Sequence, residues 1–136
     1  MKFKSDVNGV ISGIRFYKGS QNIGTHTVSL WTSGGILLAQ VQSTNETASG
    51  WQQVNFASPV AILANTTYVA SYHTTSGYYS ITRPYFTTQY DNGLLHALAN
   101  GASGGNGVYR YTATPNFPSG SYQATNYWVD VMFSSQ

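Results

Sequence analysis

Cysteine is absent from the 136-residue chain, which excludes a disulfide framework and a thiolate metal centre and leaves the redox compartment undecided. Charge is almost as scarce. Only 7% of residues are Asp, Glu, Lys or Arg, and six cations against four acids leave a net +2. A balance that small and that scattered makes no electrostatic footprint for nucleic acid, so none is expected as a partner. The chain holds no run of about 18 apolar residues and no basic stretch leading into an apolar one, so neither a membrane span nor a signal peptide is expected. Leu, Lys, Glu and Ala, which build surface helices, are thin, and that argues against a helical fold.

Thr, Ser, Asn, Gly and Tyr fill the space instead. Thr and Tyr suit pleated, half-buried surfaces, and Asn, Gly and Ser suit tight turns, so the composition is that of many short strands. With 41% hydrophobic and 15% aromatic residues the chain can bury one core, and it has no repeat or linker, so 1–136 reads as a single domain. An uncharged, hydroxyl- and amide-rich surface points to an extracellular or cell-surface location.

Alternation of period two places the strands. Val10, Ile14 and Phe16 share one face, with Arg15 and Tyr17 opposite; Val28 and Leu30 oppose Ser29 and Trp31; and Ser33-Gly34-Gly35 turns the chain into 36–42. Trp51 to Phe56 alternates with Val54 and Phe56 inward, and Pro59 reads as the end of that strand because it cannot donate to a ladder. Residues 67–74 form a further strand, followed after Gly77 by the aromatic segment 78–82. Periodicity collapses over 83–107, so that stretch is expected to be a structureless, functional or mobile loop. Val108 to Thr112 and Tyr127 to Phe133 supply the last strands. The expected fold is all-β, a two-sheet antiparallel sandwich of jelly-roll or Greek-key type.

Seven segments look familiar as a set: Gly-Ile-Arg-Phe-Tyr-Lys-Gly at 13–19, Gly-Thr-His-Thr at 24–27, Ser-Leu-Trp at 29–31, Glu-Thr-Ala-Ser-Gly-Trp at 46–51, Tyr-Val-Ala-Ser-Tyr-His at 68–73, Gly-Val-Tyr-Arg-Tyr at 107–111 and Tyr-Trp-Val-Asp-Val at 127–131. Together they resemble a bacterial extracellular module, domain of unknown function 4082, found in large secreted proteins beside immunoglobulin-like and carbohydrate-active domains. The resemblance covers nearly the whole chain and implies a β-sandwich and export. It brings no chemistry with it. The abrupt start at Met1-Lys2-Phe3 would leave a sheet edge open to another chain, which allows self-association.

Catalytic constellations are poorly supplied. Asp6, Glu46, Asp91 and Asp130 are the only acids available for paired-carboxylate work, and Glu46 and Asp91 sit where turns or caps are the ordinary explanation. No Gly-x-Ser-x-Gly elbow accompanies His26, His73 and His96, and the Gly-rich run before Val108 lacks the Lys-Thr of a phosphate loop. A non-enzyme is expected. Asp130, mid-strand beside Trp128 and Met132, wants a partner: either an ion pair with Arg15 on a neighbouring strand or a structural Ca²⁺ ion, the one cofactor under consideration. Tyr17, Trp31, Trp51 and Trp128 fall opposite the apolar stripe, so the 83–107 loop covers that face or the face is an aromatic surface. His73, Tyr78, Tyr79, Arg83, Tyr85, Tyr90 and Asp91 cluster in sequence as flat rings flanked by hydrogen-bonding groups. That set suits a sugar, though Tyr also fills loop-to-sheet interfaces. The expectation is a binding module for a glycan or cell-surface component, and the alternative is a self-assembling surface protein.

Overall fold

Strands form where the alternation is strongest, and the computed structural model, which describes residues 1–136, contains no helix. In chain order they are β1 (Lys2–Ser5), β2 (Gly9–Lys18), β3 (His26–Thr32), β4 (Leu37–Gln42), β5 (Gly50–Ile62), β6 (Tyr68–Thr74), β7 (Tyr90–Asn92), β8 (Leu95–Ala97), β9 (Val108–Tyr109), β10 (Gly120–Ser121) and β11 (Val129–Ser135). A six-stranded sheet in the order β4-β3-β6-β1-β8-β7 faces a three-stranded sheet in the order β11-β2-β5, and β9 and β10 make a small ribbon at one side. Every paired strand is antiparallel. The chain turns from β3 into β4, crosses to the opposite sheet as β5 and returns as β6 beside β3. The resulting spatial order, fourth strand beside first, is the Greek-key arrangement.

Between the sheets lie Phe3, Ile11, Ile14, Phe16, Val28, Leu30, Val54, Phe56, Ile62, Tyr68, Ala70 and Val129. Each aliphatic or aromatic side chain there removes enough apolar surface from water to contribute about 1.5–3 kcal/mol. This core holds the sandwich closed and leaves the outer sheet faces and the strand ends to carry sites.

The structure corrects several expectations in detail. Ile11, not Val10, joins Ile14 and Phe16 in the core, because the pairing of β2 with β5 shifts between Ile11 and Gly13 and moves the side chains by one position. Pro59 does not end β5. It lies in that irregular stretch, where no ladder bond is asked of it, and the strand continues to Ile62. The 83–107 segment is not structureless: it holds the β7–β8 hairpin, which closes at Gly93 with φ +60°. Asn106, fully buried, then fastens the glycine-rich run to β1. Its side chain accepts from the Lys2 amide at 2.9 Å and donates to the Lys2 and Leu98 carbonyls. Gly107 follows at φ +75°, with a Cβ there only 2.2 Å from the Thr125 carbonyl oxygen, so the close passage of the two segments requires glycine.

Trp31 is buried, but not beneath the 83–107 segment. Phe117 packs on its ring edge-on at 5.7 Å, and its indole N–H donates to Ser71 Oγ at 2.9 Å. Tyr17, Trp51 and Trp128 belong to the other sheet, so the four aromatics never shared one face. No helix is present that could cross a membrane.

Candidate functional site

Strand β1 is short. It pairs with β6 only as far as Met1, whose N–H donates to the Ala70 carbonyl while the Ala70 N–H donates back to Met1. Backbone groups in a strand point alternately to either side, so the N–H and C=O of Tyr72 and Thr74 point the same way as those of Ala70, away from β3. Beside them lies a cleft of about 140 Å³ between β6, the start of β11 and the segment 107–118.

Aromatic rings line this cleft. Tyr79, Tyr109, Tyr111 and Tyr127 converge on it, with His73, Arg110, Asn116, Pro115 and Pro118 completing its walls and Phe86 and Val129 its floor. Tyr79 packs edge-on against Tyr127 at 5.5 Å, and Tyr109 meets Tyr111 at 5.5 Å and Tyr127 at 6.4 Å. The Tyr79 and Tyr111 hydroxyls share a hydrogen bond of 2.7 Å. That bond, together with partial burial, pushes the Tyr79 hydroxyl up to about 12, and burial also raises Tyr127. Both stay protonated across the biological pH range and act as hydrogen-bond groups, not bases. His73 holds the far wall by donating from Nε2 to the Thr112 carbonyl at 2.8 Å. Tyr111 is 76% exposed, so the cleft opens to solvent at that ring.

The candidate residues therefore separate into several places. His73 and Tyr79 line the cleft. Arg83 stands beside it, donating from Nε to Thr125 Oγ1 at 3.0 Å with its guanidinium 5.1 Å over the Tyr122 ring. Tyr78 is exposed and takes no part in the lining. Tyr85 meets Trp128 at 5.5 Å beside the outer face of the three-stranded sheet, and Tyr90, on β7 of the six-stranded sheet, meets Tyr85 at 6.0 Å. Asp91 sits at the sheet edge, bonded to His96 Nδ1 at 2.6 Å, while His96 Nε2 reaches Asp6 at 2.8 Å. Tyr109, Tyr111 and Tyr127 were missed as site residues. The alternation Tyr109-Arg110-Tyr111, which places both rings on one side of the last strands' segment, is the sequence signal that points to them.

The outer aromatic face runs Tyr17–Trp51–Trp128–Tyr85. Its rings meet at 84°, 76° and 64°, so they form no flat platform. Asp130 stands directly across from Arg15 in the register of β11 and β2. The expected ion pair does not form. Arg15 instead lays its guanidinium 5.0 Å over the Trp51 ring, and burial pushes the Asp130 carboxyl above the usual carboxylate range, the Arg15 charge offsetting part of that. No group of three or more His, Asp or Glu side chains is arranged around a common point where an ion could sit.

Sequence reading also passed over a charged cluster at the end of the sandwich. Lys18 Nζ and His26 Nδ1 each lie 2.9 Å from Glu46 Oε1, and His26 Nε2 contacts Asn22 Oδ1 at 2.9 Å. The Glu46 carboxyl is pushed up by burial, yet bonds from Lys18, His26 and Ser43 outweigh this and hold it below its ordinary value. These residues brace the fold and face one another, not the cleft.

Fold and cleft together define a small Greek-key β-sandwich with a tyrosine-walled cleft. The chain belongs to the family described as domain of unknown function 4082 (DUF4082), whose model matches residues 1–129. No curated protein and no solved structure matches it.

Proposed function

We propose that this chain is a non-catalytic extracellular binding module whose ligand is a glycan held in the tyrosine-walled cleft. The observation that carries the reading is the convergence of Tyr79, Tyr109, Tyr111 and Tyr127 on a cleft floored by Phe86 and Val129. A sugar ring has apolar faces that pack on aromatic rings and a rim of hydroxyls that both donate and accept, which the tyrosine hydroxyls can meet. A binding role is favoured over catalysis because no Asp or Glu lines the cleft. The four acids are spread among the His96 cluster, the Lys18 cluster and the outer face at Asp130.

Glycan-array screening followed by calorimetry on cellulose, chitin, xylan and pectin tests this. Binding to at least one, weakened about tenfold or more by Tyr79→Ala and by Tyr111→Ala, is expected from the loss of a stacked ring. Absence of binding across the array, or variants as good as the parent protein, would overturn it.

A self-assembling surface protein is the second reading. It is favoured by β4, an edge strand that leaves Leu37 and Leu38 exposed beside Ile36 with no Lys or Pro to block pairing. Light scattering discriminates: a strict monomer at high concentration counts against it.

A further inference from the structure

The charges of this chain are distributed unevenly, and the imbalance falls at the cleft. Lys18 is paired with Glu46, Arg15 faces Asp130 across β2 and β11, and Lys4 stands near enough to Asp91 to act on its carboxyl. Lys2 is engaged by the Ser103 carbonyl. The two remaining cations, Arg83 and Arg110, have no carboxylate within ion-pair distance. Both stand at the cleft: Arg110 in its wall, and Arg83 bonded to Thr125, which also lines it.

Arg83 uses Nε on Thr125, lays its plane over Tyr122 and bonds the Tyr127 hydroxyl that walls the cleft, which fixes the guanidinium beside the rings. Two guanidinium groups, walls of neutral tyrosine and no competing acid make a place where an anionic group on the ligand would be held by paired, charge-assisted bonds.

Resting on the glycan reading above, we propose that the cleft selects acidic polysaccharides, binding uronic-acid residues with the ring against the tyrosines and the carboxylate on Arg83 and Arg110. A carboxylate is planar and matches the guanidinium fork with two parallel bonds. Because both arginines reach solvent, this contribution falls as salt rises, unlike the stacking contribution.

Calorimetry with polygalacturonate, its fully methyl-esterified form, neutral galactan and a sulfated galactan tests the assignment. The ester keeps the ring and removes the charge. The free acid is expected to bind about tenfold or more tightly than the ester or neutral galactan, since a hydrogen bond to a charged group contributes about 1.5–3 kcal/mol. Binding to the free acid should also weaken with added NaCl. Arg83→Gln and Arg110→Gln should each lower affinity for the acid several-fold more than affinity for the ester. Arg15→Gln, which removes the same charge from the outer face of the three-stranded sheet, away from the cleft, should change neither.

Equal binding of acid and ester, or an Arg15→Gln effect as large as that of Arg110→Gln, would overturn the proposal while leaving the glycan reading intact. Sulfated galactan binding as tightly as polygalacturonate would overturn the assignment to carboxylates. If no glycan binds at all, the glycan reading itself fails.

Discussion

Asp130 and Arg15 occupy opposed central positions of neighbouring strands, and the alternation that placed them on one face was readable from sequence. Their lack of an ion pair was not readable, since it depends on Trp51, which reaches the same face from β5 and offers its ring to the guanidinium. A cation over an exposed indole contributes about 0.5–1 kcal/mol, enough to compete with an exposed ion pair of similar worth. The sign for Asp130 follows from its raised carboxyl. The folded protein binds that proton more readily than the unfolded chain, whose ordinary value is 3.8, so the ionised side chain costs stability above the folded value and costs nothing below 3.8. Asp130→Asn should therefore leave the melting temperature at pH 7 unchanged or slightly higher, with the difference vanishing toward pH 3. A clear drop at pH 7, measured by calorimetry, would mean the carboxylate has a partner. Arg15→Ala and Asp130→Ala should depart only slightly from additivity, because Arg15 acts on the carboxylate through its charge alone, without an ion pair.

At the scale of elements, the β7–β8 hairpin depends on His96, which is covered on β8 and donates from both ring nitrogens, one to Asp6 after β1 and one to Asp91 on β7. Bonds to Asp6 and Asp91 raise the imidazole above its ordinary value of 6.5, and the bonds from His96 and Gln89 lower Asp91. Stability from the raised imidazole is fully present below 6.5 and is lost as pH rises through the folded value. Stability from the lowered carboxyl is present above its ordinary 3.8 and is lost as pH falls through its folded value. The hairpin should hold best from about pH 4 to 6.5 and loosen in alkali. Amide exchange of residues 90–97 should accelerate between pH 6 and 9 beyond the intrinsic pH dependence. His96→Gln should remove that excess, and an excess unchanged in the variant would show that His96 is not the clamp. Both carboxylates are half in water, so solvent screening keeps the effect modest. The Asn92-Gly93 turn was visible in the sequence, but strands of three residues carry too little alternation to distinguish from loop.

Across the whole molecule, Lys18 on β2 and His26 on β3 belong to opposite sheets, and Glu46, in the β4–β5 connection, binds both. Losing this carboxylate strands a lysine and a buried ring. Glu46→Ala is expected to destabilise by about 3 kcal/mol, the lower end for a broken buried pair because Glu46 keeps some contact with water. Since the folded carboxyl lies below its ordinary 4.5, its contribution is complete above pH 4.5 and lost as pH falls through the folded value. Urea midpoints from pH 7 to pH 3 should fall for the parent protein more steeply than for Glu46→Gln. Parallel curves would assign acid sensitivity to other groups.

What the sequence determined by itself was whatever depends on near neighbours: strand identity from alternation, turn sites from glycine and asparagine, the inward set Ile14, Phe16, Val28, Leu30, Val54 and Phe56, and the all-β class from composition. Those follow from backbone geometry within a few residues. Tertiary structure alone decided which sheet each strand entered, and so which aromatics became neighbours. Tyr79 and Tyr111 are 32 positions apart and share a hydrogen bond, while Tyr79 and Tyr85, close in sequence, stand on different faces. The cleft lies where β6, the start of β11 and the segment 107–118 meet, stretches far apart in the chain that no single strand's pattern brings together.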